Sequence, residues 1–350
     1  GCKNSVIPER VSSIGKGAFE GTSGLTEINL SSNINQIRSN AFYGCSSLCE
    51  INLPESVTTI GESAFMYCTS LKQIELVPTV QSIGKEAFYH CRSLETIDMS
   101  VSDITVIPAN AFAYTENLKT VTLPEGLVTI EEKAFYRAGL VDLLIPGAVT
   151  FIGNSAFENA TALKTVAFAA DSMLEAIGVQ EGESAVFRGC SSLEYVTLPN
   201  FLKLIGNNVF ENSGVKTVNF TDAVAPVELT AIGNYAFANC AELTVIEEAK
   251  SVKQIGEAAF LCCAALESAP VYDGLEYMGA MAFGFCSKLP VGRIPATVNE
   301  LSGNPYAGFP VDKIQLDANN IYLLTETDNS GVLYLYNAVK SSLYGVYGVN

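Results

Sequence analysis

Apolar residues recur along this chain at fixed offsets. Val57, Ile60, Ala64, Phe65, Cys68, Leu71, Ile74 and Leu76 are answered at matching spacings by Val80, Ile83, Ala87, Phe88, Cys91, Leu94, Ile97 and Met99. The phenylalanine that marks the register falls at 19, 42, 65, 88, 112, 135, 157, 187, 210, 237, 260 and 283, and Tyr306 takes its place in a degenerate last unit. Most intervals are about 23 residues. Within each unit, apolar Ile74 and Leu76 alternate around Glu75, which predicts a short strand with one buried face. The segment from Ile60 to Cys68 predicts a helical or irregular turn that points Ala64, Phe65 and Cys68 inward. Pro54, Pro124, Pro146, Pro199 and Pro295 follow strands and stop them, because proline cannot donate to a ladder.

One such unit cannot bury its apolar side alone, but a stack of about thirteen can. The period is that of a leucine-rich repeat. The expected fold is an α/β repeat solenoid, a right-handed curved array with a parallel β-sheet on its concave face. The solenoid should occupy residues 1–317, with a truncated first unit. A β cap, continuous with the solenoid, should occupy residues 318–350. There, Ile321–Thr327 and Val332–Tyr336 read as two strands around Asp328–Gly331, and a third apolar stretch follows at Leu343–Tyr347. Gly15, Gly61, Gly84, Gly153, Gly206, Gly233, Gly256 and Gly279 share a position that elsewhere holds Arg38, Pro108 or Glu131. Proline fixes φ negative, so the site needs no left-handed backbone, and close packing is the reason expected for glycine.

Two intervals are long. Extra residues lie around Gly178–Ser184 and around Thr221–Val227, and both read as surface loops that are either inert or part of a binding face. The chain starts in phase, with Cys2 at a leucine position and Pro8 aligned to Pro54. Cys2 is therefore either a repeat residue or a lipid-acceptor cysteine at a mature lipoprotein terminus, with Gly1 a residue of cloning origin in the first case.

Charged residues make up only 16% of the chain against 48% apolar, so a packed core is expected rather than disorder. The net charge of −17 repels phosphate backbones and anionic lipid. Nucleic acid is thus not an expected partner, nor is insertion into a membrane, since no apolar run approaches a spanning length.

Little in the chain suggests chemistry. Seven of ten cysteines share one repeat position (45, 68, 91, 190, 240, 263 and 286), where other coils place Thr22, Thr115, Ala138, Ala160 or Ser213. The position wants a small, weakly polar, buried side chain, which free cysteine supplies. Cys45-x-x-x-Cys49 and Cys262-Cys263 lack a second ligand pair for zinc. His90 is the sole histidine, and no orienting partner is evident, so it reads as a surface residue. No phosphate loop, dinucleotide fingerprint or calcium loop occurs. No cofactor, metal site or enzymatic activity is expected.

The outward strand positions are more informative. Glu27, Asn29, Glu50, Asn52, Gln73, Glu75, Thr96, Asp98, Thr120 and Thr122 should form an acidic and amide ladder on the first five coils. Tyr195, Thr197, Thr217, Asn219 and Glu247 follow, and Arg293 and Lys313 should make the far end mildly basic. This face reads either as a docking site for a complementary partner or as a solvated sheet surface. Tyr322, Tyr334, Tyr336, Tyr344 and Tyr347 gather in the C-terminal segment, as cap packing or as an aromatic patch for sugar or protein. Glu248 occupies an offset where other coils bury Leu or Ile. It is either locally exposed or satisfied by a partner.

The pattern Val-x-x-Ile-Gly-x-x-Ala-Phe-x-x-Cys-x-x-Leu-x-x-Ile-x-Leu-Pro closely resembles the BspA-type, or Treponema-type, leucine-rich repeat. Its clearest copies are Ile37–Pro54, Val57–Leu76 and Val80–Met99, and the resemblance spans about residues 6–317. The units around Leu174–Phe187 and Leu301–Leu316 depart from it. The resemblance implies an exported bacterial surface protein, extracellular or lipid-anchored. It also implies an adhesin-like role, with a protein ligand from host extracellular matrix or from another bacterium. A carbohydrate-binding module that uses Tyr195 or the C-terminal tyrosines is the alternative. The resemblance implies no catalytic residues, because its motif consists of structural positions.

Overall fold

The computed structural model describes residues 4–221, 226–246, 249–338 and 342–347. The chain divides into two compact units, Gly1–Met173 and Leu174–Asn350. Each is a solenoid of stacked coils, and each coil is named here by its register residue.

In the first unit every coil has three sides. Two carry short strands that pair in parallel with their neighbours. One sheet side runs through Asn4–Val6, Glu27–Asn29 and Glu50–Ile51, and later through Thr96–Asp98 and Thr120–Thr122. Single bridges at Gln73 connect Glu50 to Thr96. The other sheet side runs through Ser13–Ile14, Gln36–Ile37, Thr59–Ile60 and Ser82–Ile83, then Val106–Ile107, Thr129–Ile130 and Phe151–Ile152. The third side carries the phenylalanine. The helical-or-irregular turn expected there takes the irregular form. Among the described residues there is no α-helix, and the helical element is a 3-10 turn at Val311–Lys313.

Hydrogen bonds link the coils on all three sides. On the sheet sides donation runs both ways, as in any parallel pair: Arg38 N donates back to Ile14 O (3.0 Å) and Ile7 N forward to Asn29 O (2.9 Å). On the phenylalanine side the donors point forward to the next coil. Phe19 N donates to Ala41 O, Phe42 N to Ala64 O and Phe65 N to Ala87 O, each at 2.8 Å. This one-way donation goes with left-handed backbone two residues before and two after each phenylalanine. Gly17 and Gly21 flank Phe19, Asn40 and Gly44 flank Phe42, and Ser63 and Tyr67 flank Phe65, all with φ between 52° and 69°. Those residues aim their N–H groups along the stack, as from Asn40 N to Glu62 O (2.9 Å) and Gly44 N to Met66 O (2.8 Å).

The core is a column of rings. Phe19, Phe42, Phe65, Phe88, Phe112, Phe135 and Phe157 stack with centroids 5.2–5.4 Å apart and planes within 9° of parallel. From Phe42 onward these rings have no solvent exposure. Each fully buried phenylalanine contributes about 1.5–3 kcal/mol by area, and the offset stacking adds to that.

The repeated glycine behaves as the proline argument requires. Gly61 and Gly84 have ordinary φ, yet a Cβ on either would lie 2.5 Å from Ser39 N or 2.3 Å from Glu62 N of the coil before. Glycine is there for close approach between coils. The left-handed sites are elsewhere and are occupied by many residue types.

The second unit repeats this plan. One sheet side joins Tyr195–Leu198, Thr217–Phe220 and Val245–Ile246. The other joins Ala176–Ile177, Leu204–Ile205, Ala231–Ile232, Gln254–Ile255, Tyr277–Met278 and Glu300–Leu301. Phe187, Phe210, Phe237, Phe260, Phe283 and Tyr306 form its column. Tyr306 can replace phenylalanine because its buried hydroxyl donates to Arg293 O at 2.5 Å. Leu323–Thr327, Leu333–Asn337 and Leu343–Tyr347 then form an antiparallel sheet. Asn320 fastens this sheet to the last coil. Its Nδ2 donates to Pro295 O and Val298 O, and its Oδ1 accepts from Tyr322 N and Leu323 N, all within 2.9 Å.

The first insertion is tied down. Asn207 Nδ2 donates to Gln180 O (2.6 Å) and Gly182 O (2.9 Å), Val179 N donates to Ser184 Oγ (2.7 Å), and Glu183 pairs with Arg188. Of the second insertion, residues 222–225 lie outside the described residues. So do Gly1, Cys2, Glu247 and Glu248.

Candidate functional site

The outward strand positions of the first unit come together as the register predicts. Glu27 lies opposite Glu50, Glu50 opposite Gln73, Gln73 opposite Thr96, and Thr96 opposite Thr120. Asn29, Asn52, Glu75, Asp98 and Thr122 form the neighbouring outward row, and every residue of both rows is exposed. The alternation is a direct result of the pleat, since Ile28, Ile51, Ile74 and Ile97 between them are buried. None of the ten outward residues is cationic. Two hydrogen bonds from Ser100, one from its hydroxyl and one from its backbone N–H (2.9 Å), hold the Asp98 carboxyl below the ordinary aspartate range.

Two hollows adjoin this ladder. Gln73, Glu75, Thr96, Asp98 and Val101 line a depression of about 310 Å³. A wider one of about 560 Å³ includes Thr122, Glu125, Leu144 and Asp171. Leu144 is 61% exposed in its floor, an apolar contact among carboxylates. Such a surface suits a partner that combines positive charge with an apolar side chain.

In the second unit Tyr195 is 52% exposed and lies opposite Thr217, with Thr197 opposite Asn219. Arg293 joins a strand pair, opposite Gln315, but its guanidinium is held by Asp273 at 2.6 Å. Lys313 is outside the ladder. It ends the 3-10 turn, and Gln315 takes the strand position, because the turn shifts the frame in this degenerate unit. Lys313 instead borders a hollow of about 250 Å³ lined by Phe285, Leu289, Phe309 and Pro310. Tyr334 and Tyr336 stack at 6.1 Å in the C-terminal sheet, and the Tyr334 hydroxyl donates to Asp328 Oδ2 at 3.1 Å.

The cysteines sit where the repeat puts them and are unbridged in all nine described cases. Burial pushes the thiols up, to about 11 at Cys45 and about 12 at Cys240 and Cys286, and higher at Cys91. Cys45, Cys91, Cys240 and Cys286 therefore stay protonated and unreactive near neutrality. Among the described residues no group of three or more His, Cys, Asp or Glu side chains could hold a metal ion.

One cluster escaped the sequence reading. His90 is packed between Tyr67 (5.1 Å) and Tyr114 (4.4 Å), nearly parallel to the latter. Arg92 Nε donates to its Nδ1 at 3.2 Å. Partial burial, with the positive charge of Arg92, lowers the imidazole pKa, and Glu116 opposes that effect. The signal was present in the register. Tyr43, Tyr67, Tyr89, Tyr114 and Tyr136 all fall one or two places after the register phenylalanine.

A family model described as a BspA type leucine-rich repeat region matches residues 1–116, 105–228 and 216–327. The chain belongs to this family. Among solved structures, it is similar to a leucine-rich repeat protein from Bacteroides ovatus. The identity is 28%, the match covers 86% of this chain and 84% of that one, and the TM-score is 0.63. It is also similar to a leucine-rich cell surface protein from Faecalibacterium prausnitzii, at 28% identity over 82% and 86% of the chains, with a TM-score of 0.49. No curated protein is significantly similar. No helix among the described residues is long and apolar enough to cross a membrane.

Proposed function

We propose that this BspA-type solenoid is an exported bacterial surface protein that binds another protein through the outward sheet face of its first unit. The observation that carries the reading is the double row from Glu27 to Thr122. Its side chains are fixed in register, exposed, and include no cation. A rigid sheet costs little ordering on binding, and acidic rows beside the apolar contact at Leu144 favour a basic segment that carries an apolar anchor. The resemblance to the family supports export and an adhesin-like role toward host matrix or another bacterium. Membership of a leucine-rich-repeat family supports a binding role. The antiparallel sheet from Leu323 to Tyr347 serves as the cap of the array.

The test is a comparison of the wild-type chain with the double variant Glu50→Lys, Glu75→Lys against immobilised, purified host matrix proteins. Binding should fall roughly tenfold or more in the variant and weaken with salt in the wild type. Equal binding by both chains would remove the proposed face.

A further inference from the structure

The phenylalanine side of the first unit carries a continuous aromatic strip that the proposed sheet-face interaction does not use. Tyr43, Tyr67, Tyr89, Tyr114 and Tyr136 touch in sequence, with centroids 5.3–5.9 Å apart and successive planes crossing at 66–87°. His90 fills the row between Tyr67 and Tyr114, and the Arg137 guanidinium lies 5.8 Å from the Tyr114 ring and 5.7 Å from the Tyr136 ring. Tyr43, Tyr67, Tyr89, His90, Tyr114 and Tyr136 are all half-buried.

The fold did not require these residues. The site two places after each register phenylalanine is left-handed, and Gly21, Gly44 and Asn159 fill it in other coils of the same unit. Glycine and asparagine adopt that conformation readily. The Phe65, Phe88, Phe112 and Phe135 coils instead place Tyr67, His90, Tyr114 and Arg137 there, with φ of 56–61°. Four adjacent coils thus hold bulky side chains in a backbone conformation that disfavours them, and those four side chains form one stack. The left-handed φ itself recurs from coil to coil, and what sets these four apart is that their side chains meet.

We infer that this strip binds a neutral glycan chain lying lengthwise across the Phe42 to Phe135 coils. Three features select that ligand class. The strip runs along the stack with at least one ring in each coil from Phe42 to Phe135, so it suits a linear ligand. Charges beside it are of both signs, Lys85, Glu86, Arg92, Glu116, Lys133 and Arg137, in contrast to the uniformly non-cationic sheet face. A neutral ligand meets no net repulsion there. Finally, the strip combines apolar ring edges with phenol hydroxyls, which donate and accept, and with the carboxylates of Glu86 and Glu116, which only accept. Sugar rings present apolar C–H surfaces and hydroxyls that both donate and accept. A proline-rich peptide, the other linear ligand that aromatic surfaces take, offers acceptors but few donors and so makes less use of phenol hydroxyls that both donate and accept.

The test uses the full chain in native affinity electrophoresis through gels containing arabinoxylan, galactomannan, mixed-linkage β-glucan or amylopectin. A proline-rich peptide is assayed in parallel by fluorescence anisotropy. The triple variant Tyr67→Asn, His90→Asn, Tyr114→Asn uses a residue that the fold accepts at this site in the Phe157 coil. It should melt no earlier than wild type and lose roughly tenfold or more in affinity for the retarding polysaccharide. The double variant Tyr67→Phe, Tyr114→Phe keeps both rings and should also weaken retardation, which separates hydroxyl recognition from any effect on folding. Glu50→Lys, Glu75→Lys should bind glycan like wild type, so failure of the strip and failure of the sheet face are distinguishable. No retardation by any of the four polymers overturns the assignment, as does equal retardation of wild type and triple variant. Capture of the peptide alone, lost in the triple variant, overturns it in favour of a protein ligand.

Discussion

The thiol of Cys68 donates to the carbonyl oxygen of Phe42 one coil earlier, at 3.1 Å. That oxygen already accepts from Cys45 N in its own coil at 3.1 Å, so the thiol fills its second acceptor site. The same link recurs from Cys45 to Phe19, Cys91 to Phe65, Cys240 to Phe210, Cys263 to Phe237 and Cys286 to Phe260, at 3.0–3.1 Å. Cysteine is thus a hydrogen-bonded clasp between coils. In the Phe112 coil, Thr115 makes the equivalent donation to the carbonyl of its own coil at 2.7 Å.

Because burial raises these thiols, stability should fall in alkali. The folded chain keeps protons that the unfolded chain loses above the ordinary thiol value near 9.0. Their contribution is complete below about pH 9 and is lost as pH climbs through about 11 for Cys45 and about 12 for Cys240 and Cys286. Urea melts from pH 8 to 11 should show a steady decline. The triple variant Cys45→Ser, Cys240→Ser, Cys286→Ser should show a flatter profile, since serine does not titrate there. Parallel profiles for the two chains would refute the thiol origin of the decline.

Thiol labelling under native conditions gives a second check. Cys49 is exposed and Cys262 half-buried, whereas Cys45, Cys68, Cys91, Cys240, Cys263 and Cys286 are buried. An aromatic disulfide reagent at pH 8 should modify Cys49 first and Cys262 next. The buried thiols, Cys190 among them, should react only at the rate of local unfolding. Mass mapping that finds Cys68 or Cys91 labelled as fast as Cys49 would contradict the packed column.

Much of this fold is legible in the chain because a solenoid turns equal sequence offsets into continuous rows. Phe42, Phe65 and Phe88 declare the column, and Ile51, Ile74 and Ile97 declare the sheet. The left-handed sites are not legible in the same way. They are occupied by Gly17, Asn40, Ser63, Glu86, Lys133 and Ala258, and no residue type is common to them. Their φ is imposed by hydrogen bonds between coils, which override local preference. The prominent glycine of the motif points to a different constraint, the approach of neighbouring backbones. The ladder from Glu27 to Thr122 was readable because pleat and register determine it. Lys313 was not, because a 3-10 turn displaces the frame where the repeat has decayed.

Those two constraints make opposite predictions for the smallest substitutions. Gly84→Ala adds a Cβ 2.3 Å from Glu62 N and 2.5 Å from Gly61 C, both backbone atoms that cannot yield without moving a coil. It should lower stability by about 2 kcal/mol or more, although φ is ordinary, in the manner of overpacked cores. Ala258→Gly removes a Cβ from a residue at φ 51° and should raise stability by about 0.5–1 kcal/mol. Chemical denaturation of the two variants decides the matter. A neutral Gly84→Ala or a destabilised Ala258→Gly would invert the assignment of which position bears the strain.

Asn207 provides the last prediction, for the insertion at Gly178–Ser184. Its amide donates to Gln180 O and Gly182 O, and its Oδ1 accepts from Asn234 N at 2.8 Å, so one side chain joins the insertion to the next coil. Asn234 repeats the acceptance, taking Glu257 N at 2.8 Å, which extends the clamp along the second unit. Asn207→Ala strands two carbonyls and one N–H in a half-buried setting, at about 1–3 kcal/mol. Asn207→Asp keeps the acceptor for Asn234 N but loses both donations, and it faces two carbonyl oxygens with a carboxylate. Both variants should exchange the amides of residues 178–184 faster and become susceptible to limited proteolysis there, while the Phe237 and Phe260 coils keep their protection. If the aspartate variant instead exchanges like wild type, the insertion is held by Ser184 and by the Glu183–Arg188 pair, and Asn207 serves only the stacking of Asn234.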